Sequence, residues 1–176
     1  MPFLGARAYG VHVNGFRRDG DGLKLWIGRR APDKKVDPDK LDNIVAGGIG
    51  AGHGIEDTLL KEGQEEADLS PSLLAKAIPV SAITYRRAND VGTRDDVLFV
   101  YDLEMPSDVT PKNTDGEIVS FALRSAAEVV DEVRRTDDYK FNVNLVLIDF
   151  ALRHGLVTPR DPEYLDLVTG LRRPLD

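Results

Sequence analysis

A single α/β domain with a mixed sheet is what this sequence predicts, and three observations carry that expectation. Short strand-like runs rich in apolar residues outnumber the helical segments. One amphipathic segment follows directly on a short strand and a glycine-rich turn, as a helix packed against a sheet would. No linker, internal repeat or low-complexity stretch divides the chain, so residues 1–176 are expected to form one domain. With 176 residues and 41% hydrophobic content, the chain is large enough to bury one sizeable core.

The elements follow in order. Tyr9 to Asn14 and Leu23 to Gly28 read as strands, joined as a hairpin through the turn Asp19-Gly20-Asp21-Gly22. Ala31 to Leu41 holds Pro32, Pro38 and many charges, and reads as a loop. A short strand at Asn43 to Ala46 feeds the glycine turn, and a helix runs from Ile55 to Ala67. Ser70-Pro71 opens another short helix through Lys76, because Ser caps a helix start and Pro suits its first turn. Strands follow at Ile78 to Tyr85, Val97 to Glu104 and Ile118 to Leu123. Ser125 is expected to cap a helix ending at Arg135. Asn142 to His154 forms the last helix, with Gly155 as its stop.

Composition excludes several functions. No run approaches the roughly 20 apolar residues of a membrane span, and the N-terminus shows no charged-then-apolar signal pattern. A cytoplasmic protein without a membrane partner is therefore expected. Cysteine is absent, which excludes disulfides, thiolate catalysis and Cys-ligated zinc. A net charge of −7 argues against nucleic acid as a partner, because phosphate backbones select basic surfaces.

The chemistry concentrates in Gly47 to Leu69. Glu62, Glu65 and Glu66 fall within about one helical turn. Projected on a helix, Glu62 and Glu66 lie beside Ile55 and Leu59, away from the polar face of Asp57, Lys61, Gln64 and Asp68. Crowded ionised carboxylates repel each other unless something positive binds among them. A hard divalent cation with oxygen ligands, Mg²⁺ or Mn²⁺, suits such a group. The plainer alternative is a Glu-rich, solvated helix face.

This segment resembles the Nudix box, G-x5-E-x7-R-E-U-x-E-E-x-G-U, where U is a bulky apolar residue. Gly47 takes the opening glycine, Glu62 the acid of the R-E pair, Glu65 and Glu66 the E-E pair, and Leu69 the final apolar position. Four positions depart from it: His53 stands for the first Glu, Lys61 for Arg, Gly63 for an apolar residue and Asp68 for Gly. Lys61 keeps the charge but loses the bidentate fork. Asp68 tolerates the left-handed conformation expected at a helix end, though less readily than Gly. His53 is the weightier change, because the first Glu of the box braces the loop against the Arg.

Beyond the box, several segments resemble the Nudix subfamily fused in fungi to thiamine pyrophosphokinase. They are Ala8 to Gly15, Trp26 to Arg30, Leu41 to Asn43, Asp96 to Val100, Asp115 to Glu117 and Leu147 to Phe150. Many members of that subfamily carry a further domain ahead of the Nudix part, and this sequence starts at the Nudix part. The resemblance implies an α/β/α sandwich with a mixed central sheet. It also implies a Mg²⁺-dependent hydrolase cleaving a diphosphate bond in a small organic or nucleotide substrate, with thiamine diphosphate and its oxo and oxy derivatives favoured. The implied metal ligands are Glu62, Glu65, Glu66 and the carbonyl of Gly47. Nudix proteins often form homodimers, although no segment here marks an interface.

The general base varies between Nudix subfamilies. Glu62, Glu65, Glu66 and a downstream acid, Glu117, are the catalytic candidates; Glu117 equally suits an ordinary turn opening a strand. Arg29 and Arg30 end a strand and are candidates to bind a phosphate, or to pair with surface acids. Arg86, beside Arg87 at the end of another strand, carries the same expectation with less support. Tyr85 occupies the place of a Tyr in some dinucleoside polyphosphate hydrolases, with core or rim packing as its default. His53, flanked by Gly52 and Gly54, is an exposed candidate for substrate contact. Trp26 reads as core, and His12 and His154 as structural.

Two rivals stand beside the hydrolase. An isopentenyl-diphosphate isomerase shares the fold but relies on a catalytic Cys, which this chain lacks. A Nudix-fold binding or regulatory module without catalysis would account for the departures at His53, Lys61 and Gly63, but not for the intact acids.

Overall fold

Seven strands build one mixed sheet: β1 (Arg7–Asp19), β2 (Gly22–Arg30), β3 (Leu41–Asp42), β4 (Val45–Gly48), β5 (Ile78–Asn89), β6 (Gly92–Glu104) and β7 (Ile118–Ser125). The computed structural model describes residues 6–20, 22–89, 92–172 and 174. The strand order is β3-β2-β1-β6-β5, with β4 also paired to β1 and β7 to β2. β1 is the hub. It pairs antiparallel with β4 from Gly10↔Gly48 to Val13↔Val45, and with β2 from Phe16↔Leu25 to Asp19↔Gly22. Along its other edge it runs parallel to β6, from Arg7↔Asp95 to Phe16↔Glu104. That parallel pair makes the sheet mixed.

Side-chain alternation then sends each strand's residues to two faces. Val11, Val13, Trp26 and Leu103 meet Leu59 and Ala67 of α1 (Ile55–Ala67) and Leu73 and Leu74 of α2 (Pro71–Leu74). Phe16, Leu25 and Ile27 point the other way, onto Val129 of α3 (Ala126–Arg135) and Val143, Leu147 and Phe150 of α4 (Phe141–Arg153). Ile83, Leu98 and Val100 extend that second layer against Val146. The result is the expected α/β/α sandwich, in which each fully buried Leu, Ile or Phe contributes about 1.5–3 kcal/mol of transfer free energy.

The box helix spans the expected residues, and Asp68 closes it in the left-handed conformation, φ 54°. Ser70 caps α2 through a bond from the Leu73 N–H. Ser125 precedes α3, but its side chain caps nothing, which corrects the expectation for it. α4 starts at Phe141, one residue earlier than expected. β4 lies two residues later than expected, because Gly47 and Gly48 pair with Val11 and Gly10. β5 and β6 run well past Tyr85 and begin well before Val97, pairing from Ile78↔Asp102 out to Asn89↔Gly92. That polar ribbon lacks the apolar alternation by which strands are recognised. α5 (Tyr164–Gly170) was not expected; it is short and buries no residue fully, with Tyr164, Leu167 and Val168 half-buried. Asp21 of the β1–β2 turn lies outside the described residues.

Gly63 accounts for one departure from the box. A Cβ there would sit 2.5 Å from Leu74 Cδ2, so Leu74 of α2 fills the space that a larger residue would occupy. Among the described residues no helix is long and apolar enough to cross a membrane.

Candidate active site

Gly47 and the acids of α1 meet where β4 passes under the helix. A Cβ on Gly47 would lie 2.3 Å from Glu62 Cγ, so only glycine lets the Glu62 side chain rest on the strand. Glu66 is 5% exposed, and its Oε2 accepts the Ala46 N–H at 2.9 Å. Burial pushes its pKa up to about 8. The Ala46 bond opposes that shift, and the nearby charges of Asp42 and Glu62 reinforce it. Glu65 is half exposed. Lys61 Nζ lies between two of the acids, 3.0 Å from Glu62 Oε1 and 2.8 Å from Glu65 Oε2.

Among the described residues no three His, Asp or Glu side chains converge on one point in ligand geometry. The donor set nevertheless fits a divalent cation. Glu66 is a buried carboxyl that accepts a backbone N–H, Glu62 is pressed against the glycine strand, and the Lys61 ammonium paired with Glu62 and Glu65 sits on a flexible stem. A Mg²⁺ ion would take oxygen ligands of this kind.

A cleft of about 260 Å³ opens beside Gly47 and Gly48. Tyr9, Gly10 and His12 of β1 and Arg94, Asp96 and Leu98 of β6 form part of its lining, with Arg30, Lys140 and Asn142. A second recess shares Val36, Arg94, Lys140 and Asn142 with it and adds Tyr85, Arg87 and Phe141. The two make one groove with cations in the middle and aromatic rings at the far end. Arg87 and Arg94 are register partners, two like charges directly opposite each other across β5 and β6. Arg94 is partly relieved by Asp96 at 3.3 Å, while Arg87 lies 4.2 Å over the Phe141 ring. Tyr85 donates its hydroxyl hydrogen to Asp96, and its ring meets Phe141 edge-on at 5.5 Å.

The other expected residues are placed as follows. Arg29 is exposed and held bidentately by Asp39, with both bonds at 2.7 Å. Arg30 is buried and pairs with Asp42 at 2.8 Å, and Lys140 reaches the same carboxylate at 3.3 Å. Burial would raise Asp42, but Lys140, His12 and Arg30 outweigh it and hold the carboxyl below its usual range. Arg86 pairs with Asp95 at 3.4 Å and is not part of the groove lining, because alternation gives that face to Tyr85 and Arg87. His53 is exposed on the turn before α1, where its N–H bonds Gly50 O at 3.1 Å. Glu117 pairs with Lys34 at 2.5 Å. Its loop nonetheless docks on the box helix, Thr114 donating its hydroxyl hydrogen to the Glu65 carbonyl. Trp26 is core, beneath Arg17. Arg94 and the consecutive Lys140, Phe141 and Asn142 escaped the sequence reading, since neither segment carries a motif and the fold alone brings them together.

The fold and the box define a class, and comparison with known proteins agrees. The chain belongs to the NUDIX domain family, whose model matches residues 8–145. It is 45% identical over 172 residues to Nudix hydrolase 20, chloroplastic, of Arabidopsis thaliana, covering 97% of this chain and 46% of that protein. It is 39% identical over 190 residues to the uncharacterized protein YJR142W of Saccharomyces cerevisiae, covering 98% of this chain and 54% of that one. The chain thus spans about half the length of these curated relatives. Among solved structures, a MutT/nudix family protein from Enterococcus faecalis shares the fold with a TM-score of 0.66 at 12% identity, over 96% of this chain and 70% of that one.

Proposed function

We propose that this chain hydrolyses a diphosphate linkage in a small organic or nucleotide substrate, using Mg²⁺ or Mn²⁺ held by Glu62, Glu65, Glu66 and the Gly47 carbonyl. The observation that carries this reading is Glu66, a carboxylate buried beside Glu62 at the edge of a groove lined by Arg30, Arg94 and Lys140. A buried acid without a cationic partner is costly, and a divalent ion removes that cost. Bound there, the ion neutralises phosphate oxygens and lowers the pKa of a bound water.

The chain's own residues supply the rest. Lys61 swings off Glu62 and Glu65 to release them as ligands. Arg94 and Lys140 orient the diphosphate, and Phe141 and Tyr85 receive the organic group. The proton of the attacking water goes to a box carboxylate, or to Glu117 once Lys34 lets it go. The subfamily resemblance favours thiamine diphosphate and its oxidised derivatives as substrates. An aromatic-ended groove is compatible with a heteroaromatic group of that kind.

One observation favours a second reading, a binding module without catalysis: Lys61 already neutralises Glu62 and Glu65 internally. The test is product release with Mg²⁺ from thiamine diphosphate, oxythiamine diphosphate, ADP-ribose, dinucleoside polyphosphates and nucleoside triphosphates. Wild type is compared with the Glu65→Gln, Glu66→Gln double variant. Metal-dependent turnover lost in the variant supports the hydrolase. No turnover by folded protein, with no Mg²⁺ bound, supports the module.

A further inference from the structure

The box helix ends in acids. Glu65 and Glu66 stand in the last turn of α1, Asp68 closes it, and that turn holds no basic residue. A helix C-terminus carries partial negative charge and unmet carbonyls, so carboxylates there are unfavourable and the turn tends to fray. The helix meets part of this itself: the Asp68 N–H donates to Gln64 O at 3.2 Å and the Leu69 N–H to Gly63 O at 3.1 Å.

A strap between β6 and β7, residues 105–117, supplies the rest. The Lys112 N–H donates to Ala67 O at 3.0 Å, and Lys112 Nζ lies 3.6 Å from the Asp68 carboxylate. The Thr114 hydroxyl donates to Glu65 O and lies 3.4 Å from Gln64 O. The acidic end of α1 thus receives a backbone donor, a hydroxyl and an ammonium from a distant stretch of chain.

The strap is itself fixed on both sides of these contacts. Upstream, the Met105 N–H donates to Phe16 O at 2.7 Å, Arg17 donates to the Val109 carbonyl, and Val109 packs against the α1 layer. Downstream, Asn113 Oδ1 accepts the Gly116 N–H at 2.7 Å and Asp115 Oδ1 the Glu117 N–H at 2.8 Å. Side-chain acceptors of this kind hold a turn in one shape. Glu117 O then accepts the Ala31 N–H at 2.8 Å. Thr114 stands inside that turn. Water could meet the Glu65 carbonyl as well as a hydroxyl does, but water would not hold it against a fixed turn.

We infer that Thr114 is a positioning residue for the box acids: its hydroxyl tethers the last turn of α1 to the strap and keeps Glu65 and Glu66 aligned to hold one divalent ion together. The inference deepens the diphosphate-hydrolase reading and rests on it for the ion. Lys112 assists through its backbone N–H, which no side-chain replacement removes, so Thr114 is where the tether can be cut. The same hydroxyl fixes the turn that presents Glu117, three residues further on, relative to Glu65.

Two replacements test this. Thr114→Val keeps the shape and removes the donor, whereas Thr114→Ser keeps the donor. Calorimetric titration with Mg²⁺ alone is expected to give a Kd about fivefold weaker for Thr114→Val, and within about twofold of wild type for Thr114→Ser. In EDTA, amide exchange at Asp68 and Leu69, whose N–H groups close the last turn, is expected to be about fivefold faster in Thr114→Val and near wild type in Thr114→Ser. That readout needs neither ion nor substrate. An unchanged or tighter Mg²⁺ Kd in Thr114→Val, a Thr114→Ser variant as weak as Thr114→Val, unaltered exchange at Asp68 and Leu69, or no Mg²⁺ binding by wild type would each overturn the inference. Mg²⁺ binding weakened in Thr114→Val and restored in Thr114→Ser, with no diphosphate hydrolysed by wild type, would instead overturn the hydrolase reading and leave the role of Thr114 standing.

Discussion

Replacing Glu66 by Gln should stabilise the metal-free protein while it removes activity. The carboxyl passes from a value near 4.5 when the chain is unfolded to about 8 when it is buried. A raised folded value means that the native state holds the proton more tightly. The stability tied to that proton is therefore full below about pH 4.5 and is lost as pH rises through about 8. At about 1.4 kcal/mol per decade, taking up that proton at pH 7 costs about 3 kcal/mol. Gln keeps the shape and an acceptor for the Ala46 N–H without the charge. In EDTA, urea unfolding of Glu66→Gln should then exceed wild type by up to about 3 kcal/mol at pH 7, with the two converging near pH 4. Mg²⁺ at about a thousand times its Kd should reverse the order, since it adds about 4.1 kcal/mol to a protein that binds it. Equal stability of the two proteins at pH 7 to 8 in EDTA, or equal stabilisation of both by Mg²⁺, would refute the reasoning.

Three further tests probe separate parts of the structure. Gly47→Ala places a methyl against Glu62 and should lower kcat about a hundredfold with the fold retained, checked by steady-state kinetics beside circular dichroism. Arg87→Ala should raise KM about tenfold while Arg86→Ala changes it little, because only Arg87 lines the groove; a larger effect at Arg86 would contradict the strand register. Gly63→Leu should destabilise the fold by about 1–3 kcal/mol through overpacking against Leu74, and Leu74→Ala should recover part of that loss in denaturant melts.

Legibility followed the range of the interactions. The box helix was readable because its caps, its apolar stripe and its misplaced acids are local, and its bounds came out as expected. The central runs of β1, β2 and β6 were readable because they alternate toward two apolar layers, and those of β5 and β7 because they send alternate residues into one. The outer ribbon of β5 and β6 was not, since its residues are polar on both faces and pair mainly with each other. The choice between Arg86 and Arg87 could not be read from two adjacent arginines. It depends on Tyr85 standing opposite Asp96, a register set by β6 packing on β1. Lys140 and Asn142 reach the groove because the start of α4 lies against the middle of β1, where Asn142 meets His12. Neither residue sits in a motif. The Gly63 departure likewise became intelligible only through Leu74, eleven positions along the chain.

The parallel pairing of β1 with β6 also has a consequence for how the chain matures. Each residue from Arg7 to Phe16 of β1 waits for a partner 88 positions downstream, while β2 and β4 are available early. During synthesis one edge of β1 therefore stays open until β6 has emerged, and an open edge is where strands of different molecules join. Non-local closure of this kind is slow compared with hairpin formation. The box helix and its strand come together in the first half of the chain, but the groove gains Lys140 and Asn142 only after α4 docks. A nascent chain would thus hold its acids before it can hold a substrate.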